Sequence, residues 1–208
     1  MRAVIYTKYG LPEVLQLKEV AKPIPKKDQV LINIHATTVT SADCRIRKAD
    51  PFLVRLINGL FKPIRVKIIG IEFSGEIESI GKNVTQFKVG DKVFGSTGIG
   101  MGAYAEYRCL SQKGGFILKP ETISHEDAAA ISFGGFTALY YIRDRGGVKQ
   151  RQKVLIYGAS GCVGTYAVQL AKYYGAKVIG VCSATNLELV KSIGADYVVD
   201  YSTKDFTE

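Results

Sequence analysis

Residues 153–172 read KVLIYGASGCVGTYAVQLAK, and this stretch decides the fold class. It opens with a short apolar run typical of a buried strand, which ends abruptly in small residues. Ala159, Gly161 and Gly164 have the A-x-G-x-x-G spacing, and a segment with helical periodicity follows them. A strand, a tight loop of small residues and a helix in this order are typical of a dinucleotide-binding turn.

The residues around this stretch extend the same pattern. In the helical segment, apolar positions recur at i, i+4, i+7, i+8 and i+11, which marks one buried face. KVIGVC (177–182) and DYVVDY (196–201) predict two more strands, and TNLE (185–188) has the spacing of a capping box. Upstream, Ser124 is an acceptable helix N-cap. The order β-α-β-α-β predicts a parallel sheet with right-handed crossovers.

The first part of the chain has a different rhythm, in which short apolar runs alternate with glycines. Val30, Ile32 and Ile34 recur with the period-two spacing of a half-buried strand. This spacing predicts a compact, twisted β-barrel-like domain. Residues 51–69 interrupt this alternation of strands and turns. They form either a short helix and loop beside a site, or a segment whose apolar residues only pack in the core. We predict two domains, a barrel over 1–121 and the first part of a dinucleotide-binding domain over 122–208.

Basic residues outnumber acidic ones, and the 208-residue chain has a formal net charge of +9. Such a balance could favour nucleic acid, an anionic membrane surface or an anionic cofactor, and a solvated basic surface explains each cluster most simply. The chain has no nucleic-acid recognition motif. Its longest apolar stretch, 128–142, is shorter than the roughly 20 residues that span a bilayer. We therefore expect neither nucleic acid nor a membrane as a partner.

The cysteines argue against a zinc knuckle and a secreted disulfide framework, because they lie far apart and form no C-x-x-C pair. They are Cys44, Cys109, Cys162 and Cys182. Charged and polar residues follow Met1, where a secretory signal would be apolar. These features favour a soluble protein of the reducing cytoplasm.

Each small residue of the loop has a distinct expected role. Ala159 fits the tight turn, Gly161 lets a pyrophosphate approach the backbone, and Gly164 lets the helix pack closely on the strand. The N–H groups and the dipole at the helix start would attract the phosphates. The loop residues predicted to bind the cofactor are Ala159, Ser160, Gly161, Cys162, Val163 and Gly164.

The end of the second predicted strand bears on the choice of nicotinamide cofactor. An acidic residue there binds the ribose 2′-hydroxyl of NAD and repels the 2′-phosphate of NADP. This chain has Ser183 near that position and no acid in VCSATN. Ser183, Asn186 and Tyr201 could donate hydrogen bonds to a 2′-phosphate, although no Arg or Lys lies in the stretch. The pattern favours NADP and leaves NAD open.

Six segments, taken together, carry a family resemblance. They are VTSADCRIR (39–47), GIEFSGEIESIGKNVTQFKVGDKVFG (70–95), GAYAEY (102–107), AAAISFGGFTAL (128–139), GASGCVGTYAVQLAK (158–172) and GADYVVDY (194–201). In order and spacing they resemble the medium-chain dehydrogenase/reductase superfamily, in its zinc-independent, quinone oxidoreductase-like branch. The resemblance implies a GroES-like barrel domain, a Rossmann domain, a nicotinamide cofactor and reduction of quinones, enones or related carbonyls.

The resemblance also implies where a substrate would lie. The positions of the catalytic zinc ligands in zinc-dependent relatives match Thr40, Ile71 and approximately Phe133, none of which can bind zinc as a thiolate or imidazole. These three residues would line the substrate side without a metal, and Thr137 would contact the nicotinamide end. Thr40 would be either a wall residue or a donor that polarises a carbonyl oxygen. We identify no general acid, and we expect His35 and His125 to be structural.

The resemblance finally implies a longer protein. Family members continue with the second half of the Rossmann sheet and then complete the barrel domain, and the longer form would be a homodimer. We therefore expect a chain that ends at Glu208 to be an incomplete copy, in which cofactor binding is plausible and catalysis doubtful. The alternative is a non-catalytic cofactor-binding or structural member of the same fold.

Overall fold

Short strands with alternating burial build the first of two compact units, Met1–Ser132, in the computed structural model, which describes residues 1–204. The elements of this unit before its last helix are β1 (Arg2–Ile5), β2 (Gln16–Glu19), β3 (Gln29–Thr37), α1 (Ser41–Lys48), α2 (Leu53–Asn58), β4 (Glu72–Ile80), β5 (Lys92–Ser96), β6 (Tyr107–Ser111) and β7 (Phe116–Leu118). Five strands form an antiparallel sheet in the order β6-β3-β4-β5-β7, and β1 pairs with β2. Among the described residues, the strands form a distorted barrel that does not close.

The core of this sheet follows the predicted alternation. Val30 and Ile32 on β3 have no exposed surface, and they pack with Phe73 and Ile77 on β4. Leu31 between them is also buried, so β3 is covered on both faces at this point. The period-two pattern therefore predicted the strand, but it did not predict that the second face of the strand is also buried.

The two histidines of the chain stack on each other. The ring centroids of His35, on β3, and His125 lie 4.6 Å apart at an interplanar angle of 17°. The hydroxyl of Ser74, which is fully buried, lies 2.8 Å from Nδ1 of His125. Burial, followed by the charges of His35, Lys119 and Lys92, lowers the pKa of His125.

We expect the stability of the protein to fall as the pH drops below about 6.5, because His125 is easier to protonate in the unfolded chain. Because the pKa of His125 is lower in the folded state, the unfolded state binds more protons at every pH between the folded and the unfolded pKa. Stability is therefore fully present above the unfolded pKa and declines as the pH falls towards the folded one. Thermal unfolding of wild type and His125→Gln from about pH 8 to about pH 5.5 measures this effect. Identical pH profiles for the two proteins would contradict it.

The second unit begins at Phe133 and has a parallel sheet. The elements from the helix before it onward are α3 (His125–Leu139), a wider π-helical turn (Tyr140–Arg145), β8 (Lys153–Tyr157), α4 (Cys162–Tyr173), β9 (Lys177–Cys182), α5 (Leu187–Ser192) and β10 (Tyr197–Asp200). The strand order is β10-β9-β8, and both neighbouring pairs are parallel. The predicted β-α-β-α-β order is therefore confirmed. The predicted domain boundary after residue 121 stays a prediction.

The start of α3 agrees with the sequence prediction, and the start of α5 does not. Ser124 accepts a hydrogen bond at 3.0 Å from the backbone N–H of Asp127, as an N-cap of α3 does. The capping box predicted at 185–188 is wrong, because a 3₁₀ turn covers Ala184–Asn186 and α5 begins at Leu187. The hydroxyl of Thr185 lies instead 3.1 Å from that of Ser183.

Within residues 1–204, no helix combines the length and apolar character of a membrane span. The expectation of an incomplete copy concerns the chain end at Glu208. That residue lies outside the described residues.

Candidate cofactor site

The loop between β8 and α4 is tied to the neighbouring strand. The backbone N–H groups of Gly158 and Ala159 both donate to the carbonyl of Val181 on β9, at 2.9 and 3.0 Å. Gly158 has a φ of +75°, a conformation that favours glycine. The tight turn is therefore at Gly158, one residue before the predicted position. Ala159 is fully buried and places its methyl group in the core of the second unit.

Gly164 holds α4 against this loop. A Cβ atom at Gly164 would lie 2.1 Å from the carbonyl oxygen of Gly158 and 2.8 Å from Cα of Ala159. Both are backbone atoms, which cannot move aside cheaply. The structure therefore supplies a specific reason for glycine at this position, which is the close approach of α4 to the loop after β8.

The start of α4 has the composition that anion binding requires. Gly161 is the N-cap residue and gives no side-chain cap, and both Gly161 and Cys162 are exposed. Ser160 and Val163 are half-buried beside them. The first turn of a helix leaves its N–H groups without intrahelical acceptors, and the helix dipole favours negative charge there. A pyrophosphate fits this position, because Gly161 has no Cβ atom to keep it from the backbone.

Helix α3 packs directly on the start of α4, which sequence reasoning missed. A Cβ atom at Gly134 would lie 2.7 Å from Sγ of Cys162 and 2.9 Å from its carbonyl oxygen. Thr137 follows three residues later, on the same face of α3, and is half-buried. A glycine inside a helical pattern was the available signal, because it often marks such a close approach. Phe133 lies on the same helix, with 48% of its surface exposed.

A small polar cluster follows β9. Asn186 donates from Nδ2 to the hydroxyl of Ser183 at 3.0 Å, and the Ser183 hydroxyl also lies 3.1 Å from that of Thr185. The structure thus brings together two of the three residues predicted to reach a 2′-phosphate. The third, Tyr201, is half exposed, and its backbone N–H donates to the carbonyl of Cys182 at 3.3 Å.

An acidic residue that the sequence analysis missed lies beside this cluster. Asp200 ends β10 and pairs in register with Cys182 at the end of β9. Hydrogen bonds from the backbone and hydroxyl of Ser202, and then from the backbone of Ala184, lower the pKa of Asp200. The search for an acid covered only the end of the second strand, whereas this carboxylate comes from the third.

The buried carboxylate of Asp43 supports the predicted substrate-side residue Thr40 and the backbone directly before Ile71. Thr40 is the N-cap of α1, and its hydroxyl donates to Oδ2 of Asp43 at 2.7 Å. Oδ1 of Asp43 accepts from the backbone N–H of Gly70 at 2.9 Å, directly before the half-buried Ile71. Asp43 is 1% exposed. The Thr40 hydroxyl therefore has a structural partner, which favours its role as a wall residue over a free donor.

Among residues 1–204, no group of three or more His, Cys, Asp or Glu side chains is placed to hold a metal ion.

Comparison with known protein families gives two matches. The alcohol dehydrogenase GroES-like domain matches residues 26–121, and a family described as zinc-binding dehydrogenase matches residues 162–208. These matches and the solved structures below confirm the predicted fold class, a GroES-like β domain followed by a Rossmann-type parallel sheet.

Individual relatives agree with this assignment. The chloroplast envelope quinone oxidoreductase homolog of Arabidopsis thaliana is 36% identical over 214 residues, which cover 99% of this chain and 62% of that protein. The quinone oxidoreductase of Coxiella burnetii superposes with a TM-score of 0.86 at 36% identity, over 100% of this chain and 64% of that one. The Escherichia coli quinone oxidoreductase, solved with NADPH, gives a TM-score of 0.82 at 28% identity, over 99% and 60% of the two chains. The chain thus spans about six tenths of the length of the relatives that it matches.

Proposed function

This chain belongs to the medium-chain dehydrogenase/reductase superfamily, among its quinone oxidoreductase relatives, and on that basis we propose that the protein is a zinc-independent NAD(P)H-dependent oxidoreductase. It would transfer hydride to a quinone, an enone or a related carbonyl-conjugated acceptor. The observation that carries this proposal is the loop at 158–164, which is fixed to Val181 and meets the uncapped start of α4. We further propose that the protein is a homodimer in the cytoplasm and that its substrates are small molecules.

In the proposed site, some residues bind the cofactor and others position the substrate. The loop from Ala159 to Gly164 would bind the pyrophosphate, and Thr137 would contact the nicotinamide end. When bound, the reduced nicotinamide supplies the hydride. Thr40, Ile71 and Phe133 would contact the substrate and keep water from the acceptor carbon, since hydride transfer without a metal depends mainly on positioning.

Zinc independence is supported by the chemistry of three side chains. By the family resemblance, Thr40, Ile71 and approximately Phe133 match the ligand positions of zinc-dependent relatives, and zinc prefers thiolate, imidazole and carboxylate ligands to their hydroxyl, aliphatic and aromatic side chains. The hydroxyl of Thr40 is moreover bonded to Asp43. These residues do not fit a catalytic zinc, even though one matching family is described as zinc-binding.

A preference for NADP is supported by the Ser183–Asn186 pair and opposed by Asp200. The two side chains can donate to a 2′-phosphate, and the Escherichia coli relative was solved with NADPH. Asp200 lies beside the same segment, because it pairs in register with Cys182, the residue directly before Ser183. We propose NADP as the cofactor, with NAD as the second possibility.

We expect Asp200→Asn to tighten NADPH binding about fivefold and to leave NADH binding nearly unchanged, because the substitution removes one exposed like-charge contact with the 2′-phosphate. The asparagine retains an acceptor for the N–H and hydroxyl of Ser202, which now donate to Asp200 at 3.0 and 2.8 Å. Isothermal titration with both cofactors measures the change. Glu121→Gln removes one exposed negative charge elsewhere and is the control. Equal changes in both affinities would show that Asp200 does not discriminate.

The proposed function is tested by following NADPH absorbance with a small quinone and, separately, with an enone. The thermal midpoint is measured with each cofactor in parallel, since a ligand at about 100 times its Kd stabilises a protein by about 2.7 kcal/mol. Turnover together with stabilisation supports the proposal. Stabilisation without turnover supports the non-catalytic alternative. Absence of stabilisation by either cofactor would overturn the assignment of the loop.

A further inference from the structure

The loop between β5 and β6 is closed on the segment that contains Ile71. At its start, the backbone N–H of Thr97 donates to the carbonyl of Ile71 at 2.7 Å, and the Thr97 hydroxyl donates to the carbonyl of Gly70 at 3.0 Å. At its end, the backbone N–H of Ala103 donates to the same Gly70 carbonyl at 3.1 Å. The conformation of this segment, which we call the 97–103 loop, therefore determines where Ile71 lies.

The 97–103 loop has a backbone conformation that needs support. Met101 has a φ of +47°, and Gly98 and Gly102 have φ values of +64° and +104°. A residue other than glycine is strained in this region and stays there only where its surroundings hold it. The Met101 side chain is 1% exposed and belongs to a buried cluster against which Ile71 packs. Burial of this side chain supplies part of the support.

Arg108, on β6, packs its guanidinium group directly on the same loop. Its Nη2 donates to the carbonyl of Gly100 at 3.1 Å. A Cβ atom at Gly102 would lie 2.9 Å from Cζ and 3.0 Å from Nε of Arg108, so the planar group lies against the backbone of Gly102. Gly102 is buried, so this contact does not depend on what covers the surface of the unit.

Arg108 makes these contacts at a cost in stability. Its Nε atom is buried and has no hydrogen-bond partner among residues 1–204, and no ion pair within that range includes Arg108. Burial lowers the pKa of Arg108, because it disfavours the charged guanidinium. A partly buried cation without a counter-charge destabilises a fold relative to an apolar side chain of similar size. The contribution of Arg108 is therefore to the shape of the loop and not to the free energy of folding.

We propose that Arg108 is a positioning residue for the substrate, which acts through the 97–103 loop to hold Ile71 against the hydride acceptor. The inference rests on the proposed function, in which Ile71 contacts a quinone or enone. It adds a residue that touches neither substrate nor cofactor. Because the support is given to the acceptor side, loss of Arg108 should weaken binding of the acceptor and leave binding of NADPH unchanged.

Arg108→Met tests the proposal, because it keeps a side chain of similar length and removes the charge and the donors. We expect KM for a small quinone to rise about five- to tenfold, with kcat and NADPH affinity nearly unchanged. The thermal midpoint should equal or exceed that of wild type. A lower midpoint would indicate a purely structural arginine and would overturn the proposal. Arg108→Lys keeps a donor for the Gly100 carbonyl and should recover part of the affinity. Arg65→Met removes an exposed arginine of the same unit and is the control.

Hydrogen–deuterium exchange tests the support of the loop without any need for turnover. The amides of Thr97 and Ala103, which close the loop, should exchange about tenfold faster in Arg108→Met than in wild type. The amide of Ile77, which donates to the carbonyl of Asp91 at 2.9 Å, is the internal reference and should not change. Unchanged exchange at the two loop amides, or faster exchange with a wild-type KM, contradicts the proposal. Faster exchange in a protein whose wild type neither binds nor reduces a quinone counts against the proposed function and confirms the support of the loop by Arg108.

Discussion

Gly164→Ala is expected to lower the free energy of unfolding by about 3 kcal/mol, since overpacking against a rigid neighbour costs that much. The added Cβ would meet the carbonyl oxygen of Gly158 at 2.1 Å, and the contact can be relieved only by moving α4 away from the loop. That movement displaces the N–H groups proposed to bind the pyrophosphate. We therefore also expect NADPH affinity to fall by a factor of about ten to a hundred, the effect of losing one or two charge-assisted hydrogen bonds. Urea unfolding and cofactor titration measure the two effects separately.

Gly161→Ala separates stability from binding in the same loop. Its Cβ would lie 3.2 Å from the Gly158 carbonyl, and its φ of −78° suits any residue, so we expect only a small change in stability. The methyl group would nevertheless occupy the space where a phosphate approaches the backbone, and NADPH binding should weaken about tenfold or more. Gly115→Ala makes only an ordinary contact at 3.7 Å and is the neutral control. If Gly161→Ala bound NADPH like wild type, the pyrophosphate could not lie at the start of α4.

Asp43→Ala is expected to destabilise the first unit by about 3 kcal/mol, because it leaves a buried backbone donor unpaired and removes a helix cap together. The carboxylate accepts hydrogen bonds from the backbone of Gly70 and from both the backbone and hydroxyl of Thr40. Its loss should also release Thr40 and Ile71 from their shared support. We therefore expect KM for a quinone to rise in any active form of the protein, in addition to the lower unfolding free energy.

The matched control for Asp43 is the equivalent capping pair on α3. There the hydroxyl of Ser124 donates to Asp127 at 2.9 Å, and both residues are exposed. Asp127→Ala should cost about 1 kcal/mol or less, since water replaces the lost partner. A similar loss of stability in Asp43→Ala and Asp127→Ala would show that burial at Asp43 contributes nothing.

The order of elements in the second unit could be predicted because its signals are local. The spacing of Ala159, Gly161 and Gly164 and the apolar face of α4 depend only on neighbours along the chain. Ala167 and Ala171 lie on that apolar face and are buried. The tight turn is at Gly158 and not at the predicted Ala159. The position of the positive φ depends on the hydrogen bonds to Val181, which belongs to another strand.

Most of the features that sequence reasoning missed depend on contacts between distant segments. Gly134 has its role only because Cys162 packs against it, and Asp200 reaches the site only because β10 pairs with β9. Thr185 matched the capping pattern, yet its hydroxyl pairs with Ser183 instead.

The attachment of two consecutive amides to the single carbonyl of Val181 makes the shape of the loop a property of two strands. Residues 153–172 transplanted alone into another scaffold would carry the motif but not the acceptor that bends it. In hydrogen–deuterium exchange, the amides of Gly158 and Ala159 should therefore open together with β9 and not with the exposed loop around them. A sheet that holds β9 at a different distance would give the same sequence a different curvature, so the motif is transferable only together with its neighbouring strand.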